Sequence, residues 1–160
     1  MKRRRSTGPT QAVRDIVRQR DNWRCARCGR DVMFQESDEH HRRNRASGGS
    51  RNPAINLPSN LLLVCGTPTT GCHGWIGAWP AEAMRLGFSV STNGNFPPSA
   101  KPVEHALYGW VLLNDEGGWT RLVDHPGTDR LLADLKTKAA SGATETADET
   151  TPNPSKGTES

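Results

Sequence analysis

Four cysteines stand in this 160-residue chain as two pairs: Cys25 and Cys28 form C-x-x-C followed by Gly29, and Cys65 and Cys72 are separated by six residues. The first spacing is that of a tight turn, which lets two thiolates meet one tetrahedral ion while backbone amides approach their sulfurs. Two such pairs fit a closed structural Zn²⁺ site better than a catalytic one, which keeps a position open for water. Four buried free thiols are the alternative. A redox pair fits poorly, because no βαβ pattern surrounds the C-x-x-C. With 33% apolar residues, the domain has good use for a metal. Apparent zinc binding of about 10–16 kcal/mol at neutral pH matches or exceeds the whole stability of a typical small domain.

Charge divides the chain. Residues 1–51 hold 14 Lys/Arg against 6 Asp/Glu, and residues 52–160 hold 7 against 11. A local excess of this kind suits a polyanionic partner such as DNA or RNA, since each neutralised phosphate releases counterions; a solvated basic face is the alternative. The N-terminus "MKRRRSTGPT" has no apolar stretch behind it, and no window approaches the roughly 18 apolar residues of a membrane span. No membrane partner is expected, and a reducing, cytoplasmic location agrees with metal-bound rather than disulfide-bonded cysteines.

Along the chain, residues 1–9 read as a disordered basic arm. From Thr10, a plausible N-cap, Val13, Ile16, Val17 and Arg20 recur at helical spacing. "LLLVCG" reads as a buried strand. The segment after Cys72 can start a helix near His73 or at Pro80, with Gly87 as its cap. "NFPPSAKP" marks a linker and "GWVLLNDEGGWTRL" a hairpin, which needs a third strand or a helix to be stable. The last 25 residues, 136–160, contain no aromatic or large aliphatic side chain and read as a disordered tail. Trp23, Trp75, Trp79, Trp110 and Trp119 are expected in packing roles, and His105 and His125 at the surface.

The stretch "DEHHRRNR", residues 38–45, places two histidines side by side between acids and arginines. On a strand His40 and His41 would face opposite sides, and on a helix they would sit about 100° apart, so a strand end or loop is needed to bring both to one site. The two cysteine pairs flank the remaining chemistry: His40-His41 follows the first pair, Asn60 precedes Cys65, and His73 follows Cys72 directly.

This order, carried by "RDNWRCARCG", "DEHHRRNRASGGSRNP", "SNLLLVCG" and "GCHGW" over about half the chain, resembles the HNH endonuclease family, and within it the small HNH proteins of actinobacterial tailed phages. The resemblance implies an α+β fold: a small ββα-metal core at residues 10–90 with a four-cysteine structural zinc site and an N-terminal helix. A Pro-rich linker and β-hairpin extension would follow at 91–135. It further implies that His40 and His73 bind a catalytic divalent ion (Mg²⁺, Mn²⁺, Ni²⁺ or Co²⁺), that His41 is the general base, and that Asn60 holds the His41 segment in place. Glu39 is an alternative ligand to His40, since oxygen donors suit Mg²⁺. Arg42, Arg43, Arg45 and Arg51 would clamp DNA phosphates. Asn52 and Asn56 are accounted for by turn chemistry. The chain departs from the family at the longer "CGTPTTGC" and at Gly77 and Trp79, where the family often carries a further helix histidine. The phage setting suggests an infected bacterial cytoplasm and the terminase as a partner. A non-catalytic, zinc-stabilised nucleic-acid-binding module is the alternative function.

If the cysteines hold zinc, Cys28→Ser is insoluble or molten. A Cys28→Ser protein that unfolds cooperatively at the wild-type temperature without zinc would end that assignment.

Overall fold

A computed structural model describes residues 7–45 and 52–122. Arg51, His125 and the tail expected at 136–160 lie outside the described residues. The first element, α1, spans Gln11–Arg20, and the Thr10 hydroxyl accepts the Val13 N–H at 3.3 Å. Its inner face buries Val17 and Arg20, whereas Ile16 stays 37% exposed. The helix is stopped by Asn22 and Trp23, both left-handed (φ 52° and 53°). Their N–H groups return to the Gln19 and Arg18 carbonyls. This conformation is sterically costly for a bulky residue such as Trp23; the return directs the chain into the turn that carries Cys25 and Cys28.

Strand β1 (Ser37–His41) pairs antiparallel with β2 (Leu61–Cys65), so that His41 lies opposite Leu61 and Ser37 opposite Cys65. Every residue of β2 is buried. The strand runs through the core with α1 and the following helix both packed against it, which explains its continuous "LLLVC" in place of an alternating pattern. Helix α2 (Gly71–Ala78) breaks at Trp79, and Pro80 opens α3 (Pro80–Arg85), the position where a missing N–H costs nothing. Both helix starts seen in the sequence are therefore used. Gly87 (φ +80°) ends α3, and a Cβ there would lie 2.0 Å from the Pro102 carbonyl oxygen. Only glycine lets the later chain approach this closely.

That later chain forms a three-stranded antiparallel meander of β3 (Val103–His105), β4 (Gly109–Leu113) and β5 (Trp119–Arg121). The expected hairpin is β4–β5. The third strand it requires is "VEH", too short to announce itself in the sequence. The fold is α+β, with three helices and two small sheets among the described residues.

The two sheets are joined at Asp21. Its carboxylate, fully buried, accepts two bonds from Arg20 (2.7 and 2.9 Å), the Leu63 N–H of β2 (2.8 Å) and His105 Nε2 of β3 (3.3 Å). Arg20 also donates to the Pro58 and Leu61 carbonyls, while Tyr108 donates to the Arg20 carbonyl at 2.6 Å. His105, Tyr108 and Trp119 stack in sequence with centroids 4.6 and 4.3 Å apart. His105 is thus buried, correcting its expected surface position; the buried carboxylate of Asp21 is what draws it in. The tryptophans take packing places at the margin of the core, Trp75 against its buried residues and Trp119 on Tyr108. None is fully buried, Trp79 is 61% exposed, and Arg27 lies over the Trp75 ring at 3.6 Å, a cation–π arrangement that covers a face without burying it.

Burial alone would raise the Asp21 carboxyl, but Arg20 and His105 outweigh it and hold it below its ordinary value of 3.8. Its stabilising contribution is therefore complete above about pH 4 and is lost as pH falls through the depressed folded value. Asp21→Ala, which strands a buried Arg20, should cost about 3–5 kcal/mol by urea denaturation at pH 7. A loss below about 1 kcal/mol would show that the cluster does not join the two sheets.

Candidate functional site

The four cysteine sulfurs come from three places: the turn after α1, the end of β2 and the first turn of α2. They all lie within 4.8 Å of one another, with Cys28 Sγ and Cys65 Sγ 3.9 Å apart. A tetrahedral ion with Zn–S bonds of about 2.3 Å requires sulfurs roughly 3.8 Å apart, so the cluster can hold a structural metal such as zinc. The long gap between Cys65 and Cys72 closes because Gly66 (φ +85°) and Gly71 (φ +57°) let the loop double back. A Cβ on Gly66 would sit 2.3 Å from the Thr70 carbonyl oxygen. The Arg27 guanidinium reaches Cys72 Sγ at 3.5 Å. Burial pushes the Cys25 and Cys72 thiols up; it would raise Cys65 too, but backbone N–H groups and neighbouring sulfurs bring that thiol down. A dication is the group that would hold all four as thiolates.

An open polar cavity of about 210 Å³ is lined by Asp38, His40, His41, Asn44, Arg45 and His73 among others. The adjacent histidines do reach one cavity, because they end β1 where the chain turns away. His40 and His73 meet edge to face with centroids 5.1 Å apart. His40 Nε2 lies 2.9 Å from the Phe88 carbonyl, which can only accept, so Nε2 carries the proton and Nδ1 keeps its lone pair. This is the arrangement that metal-binding histidines use to fix their tautomer. Burial drives His40 down to about 4, with the neighbouring His73, His41 and Arg42 adding to the effect against the Phe88 carbonyl. Burial also lowers His41 and His73, opposed by Asn56 and Asp38 respectively. All three imidazoles are therefore neutral at pH 7, with lone pairs available.

His41 has a partner that sequence reasoning passed over. Its Nε2 lies 2.9 Å from Asn56 Oδ1, while Asn56 Nδ2 donates to the Thr7 carbonyl at 3.2 Å. Because the Thr7 carbonyl accepts only, the amide must present its oxygen to His41. His41 then carries its proton on Nε2 and leaves Nδ1 basic. Turn chemistry alone does not account for Asn56, although it does for Asn52, whose side chain caps the Pro53–Asn56 turn. Asn60, fully buried, accepts the Arg43 N–H at 2.7 Å and donates to the Arg43 and Ile55 carbonyls. It clamps the residues after His41 to the loop that carries Asn56.

The acids and arginines sort differently from their order in the sequence. Glu39 is buried and ion-paired with Arg14 at 2.5 Å and Arg18 at 2.7 Å. Its charge is matched by two arginines of α1, although it lines the same cavity as His40. Arg42 is 1% exposed, and its five N–H groups are taken by the carbonyls of Gly87, Ser59, Pro98, Lys101 and Pro102 at 2.7–3.1 Å. No donor remains for a phosphate, so its expected role there is corrected: Arg42 lies just past the end of β1, where carbonyls of later segments close around its guanidinium. Arg43 is half-buried and donates to the carbonyls of Ser91, Gly94 and Phe96. Arg45 lines the cavity itself.

No protein-family model, curated protein or solved structure matches this chain. Among the described residues no helix is long and apolar enough to cross a membrane.

Arg42→Ala leaves five carbonyls, two of them buried and three partly buried, without their donors and should cost at least about 3 kcal/mol. Arg45→Ala should change stability by less than about 0.5 kcal/mol. Equal melting temperatures for the two variants would refute this division of the arginines.

Proposed function

We propose that the chain is a metal-dependent endonuclease of the HNH type that hydrolyses DNA phosphodiester bonds, leaving 3′-hydroxyl and 5′-phosphate ends. The observation that carries this reading is the cavity shared by His40, His41 and His73, where each of the first two imidazoles has one nitrogen committed and one lone pair left. His40 and His73 would hold a divalent ion, which supplies positive charge to the scissile phosphate and the leaving oxygen. His41 Nδ1 accepts the proton of the attacking water; Asn56 keeps that nitrogen unprotonated, and Asn60 holds the backbone that carries it. Arg45, at the cavity wall, is placed to steady a neighbouring phosphate for in-line attack. The order of β1, β2 and α2 with a histidine at each end supports the ββα-metal reading of the core. By the phage resemblance, the setting is genome packaging beside the terminase.

The alternative, a zinc-stabilised binding module without turnover, loses ground on one observation. A binder has no use for two imidazoles in one cavity, each with one nitrogen committed and one lone pair left. Imidazole ligands suit Mn²⁺, Co²⁺ and Ni²⁺ well, so cleavage with these ions is expected alongside Mg²⁺.

Supercoiled plasmid at low salt should be nicked by the wild type with Mn²⁺ and left intact with EDTA. His41→Ala should lower kcat by about 10²–10⁴-fold, and Asn56→Ala by about 10–100-fold. Arg45→Ala should reduce the salt dependence of DNA binding by about one phosphate contact. Salt-sensitive DNA binding without cleavage under any metal would establish the binding module instead. Nicking undiminished in His41→Ala would remove His41 as the base.

A further inference from the structure

We infer that Asp38 completes, with His40 and His73, a divalent-cation site of two imidazoles and one carboxylate. The inference deepens the reading above and rests on its assignment of His40 and His73. Two residues apart on β1, Asp38 and His40 project from the same strand face, with Val64 and Leu62 as their partners on β2. His73, in the first turn of α2, meets both: its ring lies edge to face with His40, and its Nδ1 is 3.6 Å from Asp38 Oδ2.

That nitrogen is the informative atom. His73 Nδ1 is buried and has no hydrogen-bond partner. It has been removed from water without return, although a carboxylate oxygen stands just beyond bonding range. Two donors on one ion, at bond lengths of about 2.1 Å and angles of roughly 90–110°, lie about 3.0–3.4 Å apart. The observed gap is close to that spacing. The carboxylate is also oriented for the task. Asp38 Oδ1 accepts the Glu39 N–H at 2.9 Å, leaving Oδ2 free at 3.6 Å from His73 Nδ1, and the Phe88 carbonyl leaves the lone pair of His40 on Nδ1. Outer hydrogen bonds of this kind are how ligand atoms are aimed.

The Asp38 side chain is 45% exposed, and the cavity it lines together with His40 and His73 is open to solvent. A site of this form keeps positions for water and a phosphate oxygen, unlike the closed thiolate cluster. With two nitrogens and one oxygen it should take Mn²⁺, Co²⁺ or Ni²⁺ in preference to Ca²⁺. A plain Asp38–His73 ion pair is the competing account, and it requires no cation.

The test is Mn²⁺ titration of the zinc-loaded full chain, followed by calorimetry and by the loss of the free-ion paramagnetic resonance signal. Wild type should bind one Mn²⁺ beyond its zinc. Asp38→Asn should weaken that binding at least tenfold with zinc content and melting temperature unchanged, while Asp38→Glu retains most of it. His41→Ala should bind Mn²⁺ as wild type does. Undiminished Mn²⁺ affinity in Asp38→Asn, or no second cation in the wild type, would overturn the inference. Cleavage persisting alongside undiminished affinity in Asp38→Asn overturns the ligand assignment and spares the nuclease. Asp38-dependent Mn²⁺ binding without plasmid cleavage does the reverse.

Discussion

Four sulfurs that must share one small volume dictate most of this architecture. They come from a turn, a strand end and a helix start, so drawing them together brings α1's exit, β2 and α2 into contact before any apolar packing is counted. The strand between them is buried throughout, and the helix that supplies Cys72 supplies His73 in the next position. The cluster and the histidine cavity are therefore not independent. The rotation that seats Cys72 in the one sets where His73 stands in the other, and Arg27, touching both Cys72 and Trp75, braces the same helix turn.

Much of this was legible because it rests on local chemistry. The cysteine spacing, the Thr10 cap, the apolar run of β2 and the breaks at Pro80 and Gly87 each state their structural role within a few residues. What could not be read depends on partners distant in the chain. His105 reads as a surface residue because it stands alone beside Glu104, yet its partner is Asp21, 84 positions away. Asn56 looked like turn chemistry because its loop is a turn; only the approach of Thr7 and His41 shows how its amide is oriented. Asp38 escaped notice for the opposite reason, since an acid in a charged run suggests solvent until a helix histidine is found facing it.

The basic run after His41 shows how far a net charge can mislead when taken residue by residue. The chain beyond β1 divides it into one guanidinium committed wholly to backbone carbonyls, one half-buried against a later loop, and one at the cavity. A charge count treats these as equal. Desolvation does not, because a buried guanidinium is tolerable only where carbonyls replace its water.

Arg42 also joins regions that the sequence would divide. Three of the five carbonyls it serves, those of Pro98, Lys101 and Pro102, belong to the segment after the two short helices, and the residue sits next to His41 at the end of β1. The stretch that reads as a spacer thus works as a splint on the strand that carries the two histidines. The borders of the motif and of this hydrogen-bonded network do not coincide, and a minimal fragment cut to the motif would keep the histidines while losing the carbonyls that hold their strand end.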